Sequence, residues 1–313
     1  AALQTELPSA FLWRAYRAVL GDDAVPATSP FDKSLLVWRL MRLLPQMLAE
    51  PVFAPLSRFL QNDADLRKRH QLAERLADLF DQYQVYRADW LADWAAGEDR
   101  ILTSRAGAQP VPPELRWQPR LWRALQQDVG PALAGTSRAA VHQRFLARAA
   151  EFGEDSPPPG LPRRLLMFGI SSLPQQSLEV LAALARWSQV LMCVHNPSEH
   201  DWSHIVADKD LLRAQAIASR RRRRPGSEGT IPEDQLHLHA HPVLAAWGKQ
   251  GRDFIRLLDQ FDEGHERHAQ QLAAIGQRID CFDGNAGDTL LRQLQDDIRD
   301  LRPLAESRAR WPA

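Results

Sequence analysis

Apolar residues recur at helical spacing through most of the first 150 positions. The segment 29–48 is the clearest case, because its apolar residues form one wide face typical of a helix buried in a bundle, at positions 36, 37, 40, 41, 44 and 48. Ser29 as N-cap, Pro30 at the first helical position and Asp32 at the third predict where this helix begins. The same spacing predicts further helices over 52–61, 63–86, 88–95, 116–129 and 138–152.

The pattern changes after a Pro-rich segment, "EDSPPPGLPRR" (154–164). Short apolar runs at 165–170 and 189–197 flank a helical segment at 174–187, which predicts a βαβ unit with a parallel strand pair. Further segments are a Pro/Gly loop at 104–116, an arginine-rich mobile loop at 217–235, and helices at 241–261 and 288–301. The pattern therefore predicts a helix-rich α/β protein with a mostly helical domain over 1–158 and an α/β portion over 159–313.

Composition narrows the class of protein. Hydrophobic residues make up 44% and charged residues 25%, which is typical of a globular protein, and no apolar run approaches the ~20 residues that cross a membrane. The formal net charge is zero, which excludes a generally basic nucleic-acid-binding surface. Cys193 lies in the apolar run "VLMCV" and is predicted to be a buried thiol. Because Cys193 and Cys281 suggest no disulfide framework, we expect the protein to be located in a reducing cytoplasm.

The motifs of common enzymes are missing from this sequence. It contains neither the GxxxxGK[ST] phosphate loop of nucleotide hydrolases nor a GxGxxG motif. Ser171 and Ser172 follow a predicted strand, but the second glycine of a nucleophile elbow is absent. Two groups of histidines lack accompanying cysteine pairs, so we expect surface or loop histidines and no metal, at positions 195, 200, 204, 237, 239 and 241. A hydrolase that uses Ser171 or the histidines remains a distant alternative.

The stretch "ADLFDQYQVYRADW" (77–90) combines hydrogen-bonding side chains with aromatic rings on a predicted helix. Its apolar stripe should face the core through Leu72, Leu76, Leu79, Phe80 and Tyr83. Asp78, Asp81 and Gln82 share the opposite face. Carboxylates and amides can pair with base edges, and Arg87 can present a fork to guanine.

Aromatic residues near this face could stack on unpaired bases, as Tyr86 and Trp13 would do. Acidic side chains repel phosphates, so the face suits base edges better than the nucleic-acid backbone. A solvated polar face remains the alternative. The arginine run 220–224 either contacts phosphates or is solvated.

The segment "NDADLRKRHQLAERLADLFDQYQVYRADWLADW" (62–94) resembles the gamma chain of bacterial exodeoxyribonuclease V, the RecC family. The resemblance continues, in the same order, through "LPSAFLW" (7–13), "PPGLPRRLLMFGISSLP" (158–174), "HPVLAAWGKQGRD" (241–253) and "LLRQLQDDI" (290–298). It spans essentially the whole chain. By this resemblance the chain is an amino-terminal part that begins after the first strand and helix of the family's helicase-like domain. It also ends before the second helicase-like half.

The resemblance implies an inactive, truncated helicase-like α/β domain (1A type) with a large all-helical domain (1B type). It also implies a DNA-binding subunit with no catalysis or cofactor of its own, located between a motor-nuclease beta chain and a helicase alpha chain. Such a subunit splits the duplex at the fork and scans the 3′-ended single strand for the Chi signal in double-strand-break repair. The positions that match Chi contacts are Leu7, Trp13, Asp78, Leu79, Asp81, Arg87 and Arg138. Gln82 is added because it shares the polar face. The alternative is a helical scaffold that binds only protein partners.

Overall fold

The computed structural model describes residues 3–62, 66–103, 107–153, 156–198, 200, 202, 241–261, 289–302 and 304–310. Residue contacts divide the chain into two units. The first comprises Ala1–Leu165 and Pro174–Val190, and the second comprises Leu166–Leu173 and Leu191–Ala313. The predicted loop at 217–235 lies outside the described residues, as do Cys281 and the histidines at 204, 237 and 239. The predicted division at residue 158 stays a prediction.

The first unit is predominantly helical in its described residues. Its helices are α1 (Pro8–Leu20), α2 (Lys33–Met47), α3 (Ala54–Phe59), α4 (Arg67–Tyr86), α5 (Ala88–Ala95), α6 (Trp117–Val129), α7 (Pro131–Ala134), α8 (Arg138–Glu151) and α9 (Gln175–Leu184). Short 3-10 helices cover Pro51–Phe53 and Pro113–Leu115. Strands β1 (Arg100–Thr103) and β2 (Gly107–Pro110) pair antiparallel, with Arg100 opposite Pro110.

The predicted strand–helix–strand order is confirmed around α9. Strands β3 (Arg164–Ile170) and β4 (Gln189–Val194) are hydrogen-bonded neighbours in a two-stranded sheet. The described helices of the second unit are α10 (Pro242–Trp247), α11 (Lys249–Asp259), α12 (Leu290–Arg299) and α13 (Leu304–Arg310). Trp202 is buried against Leu244 and Ala245 in this unit. In the described part of the chain, no helix combines the length and the apolar character required to cross a membrane.

The main core of the first unit is formed by residues of α2, α4, α5 and α6. The apolar stripe predicted for α4 is confirmed, because Leu76 and Phe80 are buried in this core and the remaining members pack against it, namely Leu72, Leu79 and Tyr83. Phe80 stacks on Trp122 with ring centroids 5.5 Å apart. Large aromatic rings bury much apolar area and prefer such offset contacts, so this pair fixes the orientation of α4 against α6.

Helix α2 begins three residues later than the capping pattern predicts. Its first residue is Lys33, and Asp32 occupies the N-cap position. Ser29 is instead buried in the preceding turn, where its Oγ accepts from the Phe31 backbone N–H and donates to the carbonyl of Thr136. A distant partner thus overrides the local capping signal. The predicted apolar face is confirmed, with Leu36, Val37, Leu40 and Leu44 buried and Met41 and Leu48 packed against the core.

Two other segments differ from their sequence predictions. The stretch 104–116 was predicted as a loop, but it contains β2 and the 3-10 helix Pro113–Leu115. The Gly- and Pro-rich sequence of β2 does not indicate a strand, but pairing with β1 supplies hydrogen bonds for its backbone groups. The stretch 241–261 forms two helices rather than one, divided at Gly248. A Cβ at Gly248 would lie 3.0 Å from the Trp202 ring, so close packing requires glycine there.

The prediction of a buried Cys193 thiol is wrong, because this side chain is exposed. Burial alternates along β4, so Cys193 and Leu191 lie among its exposed positions while Val190 and Met192 are half-buried. An uninterrupted apolar run cannot tell a strand covered on both faces from one covered on a single face.

Candidate nucleic-acid interface

Asp78 and Gln82 lie on the face of α4 opposite its apolar stripe, as predicted. Lys33, the first residue of α2, places its Nζ 2.6 Å from Oδ1 of Asp78. The amide of Gln82 donates to the other oxygen of the same carboxylate at 3.3 Å. All three side chains are at least partly exposed. They form a polar patch in which the exposed Gln82 amide donates to Asp78 through its nitrogen and can still accept through its carbonyl oxygen.

Arg138, the first residue of α8, lies between two carboxylates that come from different parts of the chain. Its Nη2 donates to Asp32 Oδ1 at 3.2 Å, and its Nη1 lies 3.2 Å from Asp81 Oδ1. The second contact has ion-pair distance but not hydrogen-bond geometry, so the buried Oδ1 of Asp81 accepts no hydrogen bond. This oxygen of Asp81 therefore lacks a hydrogen-bond donor. We call the six side chains Asp32, Lys33, Asp78, Asp81, Gln82 and Arg138 the polar cluster.

The two carboxylates of α4 differ in their electrostatic states, although they are one turn apart. The hydrogen bond from Lys33 lowers the pKa of Asp78, and the same contact raises the pKa of Lys33. Burial raises the pKa of Asp81, and the positive charge of Arg138 only partly opposes this effect. Ionised Asp78 is thus stabilised by the fold, whereas ionised Asp81 is destabilised. A ligand that donates hydrogen bonds would therefore gain more at Asp81.

The buried residue Gln84 connects the segments that carry the polar cluster. Its side chain is fully buried, and its amide donates to the carbonyl of Phe31 at 3.1 Å. Its side-chain oxygen accepts from the backbone N–H of Arg138 at 3.1 Å, and its own carbonyl accepts from Gln176 at 3.2 Å. One residue of α4 thereby links the turn before α2, the start of α8 and α9. This linkage fixes where Asp32 and Arg138 stand relative to Asp81.

Arg87 lies at the end of α4 and is already engaged by neighbouring groups. Its guanidinium is 4.0 Å from the centre of the Trp90 ring and 3.0 Å from Asp89 Oδ2. It also donates to the carbonyl of Leu102 in β1, which accepts from Trp90 Nε1 as well. These contacts fix the guanidinium beside β1. A base or phosphate at Arg87 would have to share or replace one of them.

Trp13 and Leu7 belong to α1. Trp13 is half-buried, its Nε1 donates to the carbonyl of Pro26 at 3.0 Å, and its ring meets Tyr16 edge-on. Leu7 is the N-cap residue of α1 and is 74% exposed. Trp13 is therefore neither a fully buried core residue nor a freely exposed platform. One part of its ring remains accessible beside the exposed start of the helix.

A buried chain of hydrogen bonds ties α1 to α8 and α9. The Tyr16 hydroxyl lies 3.0 Å from His142 Nδ1, and His142 Nε2 lies 2.7 Å from Glu179 Oε2. Burial strongly raises the pKa of Tyr16, which keeps its hydroxyl protonated. The helix that bears Trp13 is thus joined to the helix that begins with Arg138. Among the described contacts, however, none links Trp13 or Arg87 to the polar cluster directly.

Leu79 is the member of the predicted set that belongs to the core. It is partly buried and packs against the main core, on the face that the apolar stripe predicts. Of the eight predicted positions, the structure thus brings four into the polar cluster, namely Asp78, Asp81, Gln82 and Arg138. The others lie on α1, at the end of α4, or against the core.

The residues weighed for catalysis show no such convergence. Ser172 Oγ accepts from the amide of Gln250 at 2.7 Å, which is not a base, and Ser171 is exposed. His241 is fully buried, contrary to the prediction of a surface or loop residue, and burial lowers its pKa. Within the described residues, no group of three or more His, Cys, Asp or Glu side chains is arranged to hold a metal ion.

Comparison with known proteins identifies the family. A family model described as the N-terminal domain of RecC matches residues 1–301. The chain belongs to the RecC family. The RecBCD enzyme subunit RecC of Haemophilus influenzae is 33% identical over 331 residues, covering 95% of this chain and 28% of that protein. The RecC subunit of Escherichia coli K12 is 34% identical over 309 residues, covering 94% and 25%.

A more distant relative is the RecC subunit of Mycolicibacterium smegmatis, which is 29% identical over 278 residues. That match covers 86% of this chain and 21% of the relative. The chain thus spans about a quarter of the length of the relatives that it matches. The resemblance inferred from the sequence segments is confirmed at the level of the RecC family.

Sequence reasoning missed three residues that build this site. Asp32 and Lys33 were taken only as part of a helix start, although they pair with Arg138 and Asp78. Gln84 was not considered, yet a signal was available. It follows Leu76 and Phe80 at four-residue spacing, so a polar side chain stands on the apolar stripe. A buried amide at such a place needs defined partners, which the structure supplies.

Proposed function

We propose that this chain is the strand-recognising part of a RecC-type subunit, which binds DNA without catalysing a reaction itself. In this role it guides the split strands at a duplex fork and scans the 3′-ended single strand for the Chi signal. The complex would be a RecBCD-type helicase and nuclease that acts in double-strand-break repair by homologous recombination. The observation that supports this proposal is the convergence of Asp78, Asp81, Gln82 and Arg138 in one polar cluster.

The chemistry of the cluster suits unpaired bases. Carboxylates accept hydrogen bonds from the exocyclic amino groups of bases, and amides pair with base edges. Oδ1 of Asp81 accepts no hydrogen bond, and Gln82 is exposed, so both side chains have unused hydrogen-bonding capacity. The cluster contains three carboxylates and two cations, and its net negative charge favours base edges over the phosphate backbone. Single strands with splayed bases expose these edges fully, whereas a duplex does not.

The proposal includes the architecture and the partners implied by the family. The relatives from Haemophilus influenzae and Escherichia coli are subunits of the RecBCD enzyme. By analogy, we expect this chain to assemble with a motor-nuclease beta chain and a helicase alpha chain in the cytoplasm. The strand–helix–strand portion around α9 would then be the remnant of a helicase-like domain without a nucleotide site. This agrees with the missing GxxxxGK[ST] motif in the sequence.

Titration of the chain with labelled single-stranded oligonucleotides tests the proposal. Gln82→Ala removes an exposed side chain of the cluster, and Gln127→Ala, at an exposed position of α6, is its matched control. Arg138→Ala is paired with Arg148→Ala, which removes a mostly exposed arginine of the same helix. We expect each cluster variant to weaken binding by roughly 1–3 kcal/mol relative to its control.

Equal affinities within both pairs would contradict the proposal. The same result would favour the protein-only scaffold, provided that the chain still assembles with its partner subunits. Far-ultraviolet circular dichroism of each variant separates lost binding from lost folding. This matters most for Arg138, because its removal leaves Asp32 and Asp81 without their cation.

A further inference from the structure

A groove opens beside the polar cluster on the surface of the first unit. It has a volume of about 880 Å³ and is formed by the first residue of α2 together with α3 and α4. Its lining residues are Leu56, Phe59, Leu72, Gln71, Glu74, Arg75, Lys33 and Asp78. Lys33 and Asp78 also belong to the polar cluster. The groove and the cluster are therefore continuous.

The groove has an apolar part and a polar part. Leu56 is buried, Leu72 is partly buried against the core, and Phe59 is 51% exposed. A half-exposed phenyl ring in a concave site offers a flat apolar surface at which another ring can stack. The volume lies within the range of about 300–1,000 Å³ that is typical of small-molecule and cofactor sites.

The polar side chains match the groups of a nucleotide. Gln71 and Glu74 offer an amide and a carboxylate, both suited to the edge of a base, whereas the two oxygens of Asp78 already accept from Lys33 and Gln82. Arg75 adds positive charge, which suits a phosphate next to the base. The ionised carboxylate of Glu74 can only accept hydrogen bonds, whereas the amide of Gln71 can both donate and accept. Bases with an exocyclic amino group therefore fit this edge better than thymine, which has none.

We propose that this groove accepts one unpaired nucleobase that bears an exocyclic amino group, stacked on Phe59 and bonded through Glu74 and Gln71. The proposal rests on the proposed function, since it adds a pocket to the surface that would bind the single strand. It assigns Phe59 and Glu74 to base selection, and neither belongs to the polar cluster. The strand would continue from the groove to the cluster past Lys33 and Asp78.

The test compares oligonucleotides of dA, dC and dT for binding to the 313-residue chain. We expect dA and dC to bind more tightly than dT. Loss of one stacked base weakens binding by roughly 5- to 100-fold, so Phe59→Ala should do so for dA and dC. Phe59→Leu, which keeps the apolar wall, should weaken binding nearly as much, whereas Phe59→Tyr should preserve it. Glu74→Gln should reduce the preference for dA and dC over dT, because an amide can also donate to the keto oxygens of thymine.

Trp38→Ala is the matched control, because Trp38 is a 66% exposed aromatic residue of α2 outside the groove. The proposal is overturned if the Phe59 variants bind all three oligonucleotides as the parent chain does. If the cluster variants at Gln82 and Arg138 still weaken binding in that case, the proposed function stands without the groove. If the parent chain binds no single strand, both proposals fall. If the Phe59 variants impair only assembly with partner subunits, the groove is a protein-docking site and the nucleobase proposal is wrong.

Discussion

Replacement of Gln84 by Met should destabilise the first unit strongly, although it changes neither the charge nor much of the side-chain volume. Gln84 is fully buried, and its side chain bonds the carbonyl of Phe31 and the N–H of Arg138 at 3.1 Å each. Methionine fills the space but leaves both backbone groups without a partner. An unsatisfied buried group costs about 1–3 kcal/mol, so we expect a loss of roughly 2–5 kcal/mol in the free energy of unfolding.

The matched control is Gln82→Met, two positions along the same helix. Gln82 is exposed and makes one side-chain bond, to Asp78. Its replacement should change stability by less than about 0.5 kcal/mol. Urea denaturation followed by tryptophan fluorescence measures the difference between the two variants. Seven of the ten tryptophans lie in the first unit, so the signal reports mainly on its unfolding.

Similar midpoints and slopes for the two methionine variants would refute the linking role of Gln84. The expected result also has a consequence for binding. Because Gln84 fixes the start of α8, Gln84→Met should displace Arg138 and weaken single-strand binding in molecules that remain folded. Gln82→Met should weaken binding without the loss of stability.

Further predictions concern the carboxylates, Trp13 and catalysis. Because the pKa of Asp78 is lowered, its ionised carboxylate stabilises the folded state at pH values above the ordinary pKa of an aspartate, and this stabilisation is lost as the pH falls. Asp78→Asn should therefore lower stability near neutral pH. The raised pKa of Asp81 means that its ionised carboxylate destabilises the folded state at pH 7. Asp81→Asn should therefore keep or raise thermal stability at pH 7 while it weakens base recognition. Trp13→Ala should cost about 1–3 kcal/mol in denaturation experiments, below the ~3–5 kcal/mol of a fully buried tryptophan; a larger loss with intact binding would assign Trp13 to the core. The purified chain should hydrolyse neither ATP nor DNA, and metal-dependent cleavage that disappears on a single His or Asp substitution would contradict this.

The periodicity of α4 was predictable because its apolar stripe follows from local spacing alone. Leu76 and Phe80 meet the core, and Asp78 and Gln82 face away from it, as the pattern indicates. The start of α2 was not predictable from capping residues, since the partner of Ser29 is Thr136, 107 positions away.

The polar cluster itself depends on the same kind of long-range arrangement. Arg138 meets Asp32 across 106 positions, and Lys33 meets Asp78 across 45. A single sequence gives the chemical type of each of these residues but not their meeting point. The exposure of Cys193 could not be predicted for a related reason. Whether one face of a strand is exposed depends on which other elements cover it, and an apolar run in the sequence does not contain this information.

Photocrosslinking can determine whether one surface of the first unit contacts an unpaired strand. A single-stranded oligonucleotide with photoreactive bases is bound to the chain and irradiated, and the crosslinked peptides are identified by mass spectrometry. We expect crosslinks in α4 at 78–82, at the start of α8 around Arg138, and in α1 near Trp13. Crosslinks confined to other segments, unchanged by Arg138→Ala and Gln82→Ala, would contradict this expectation.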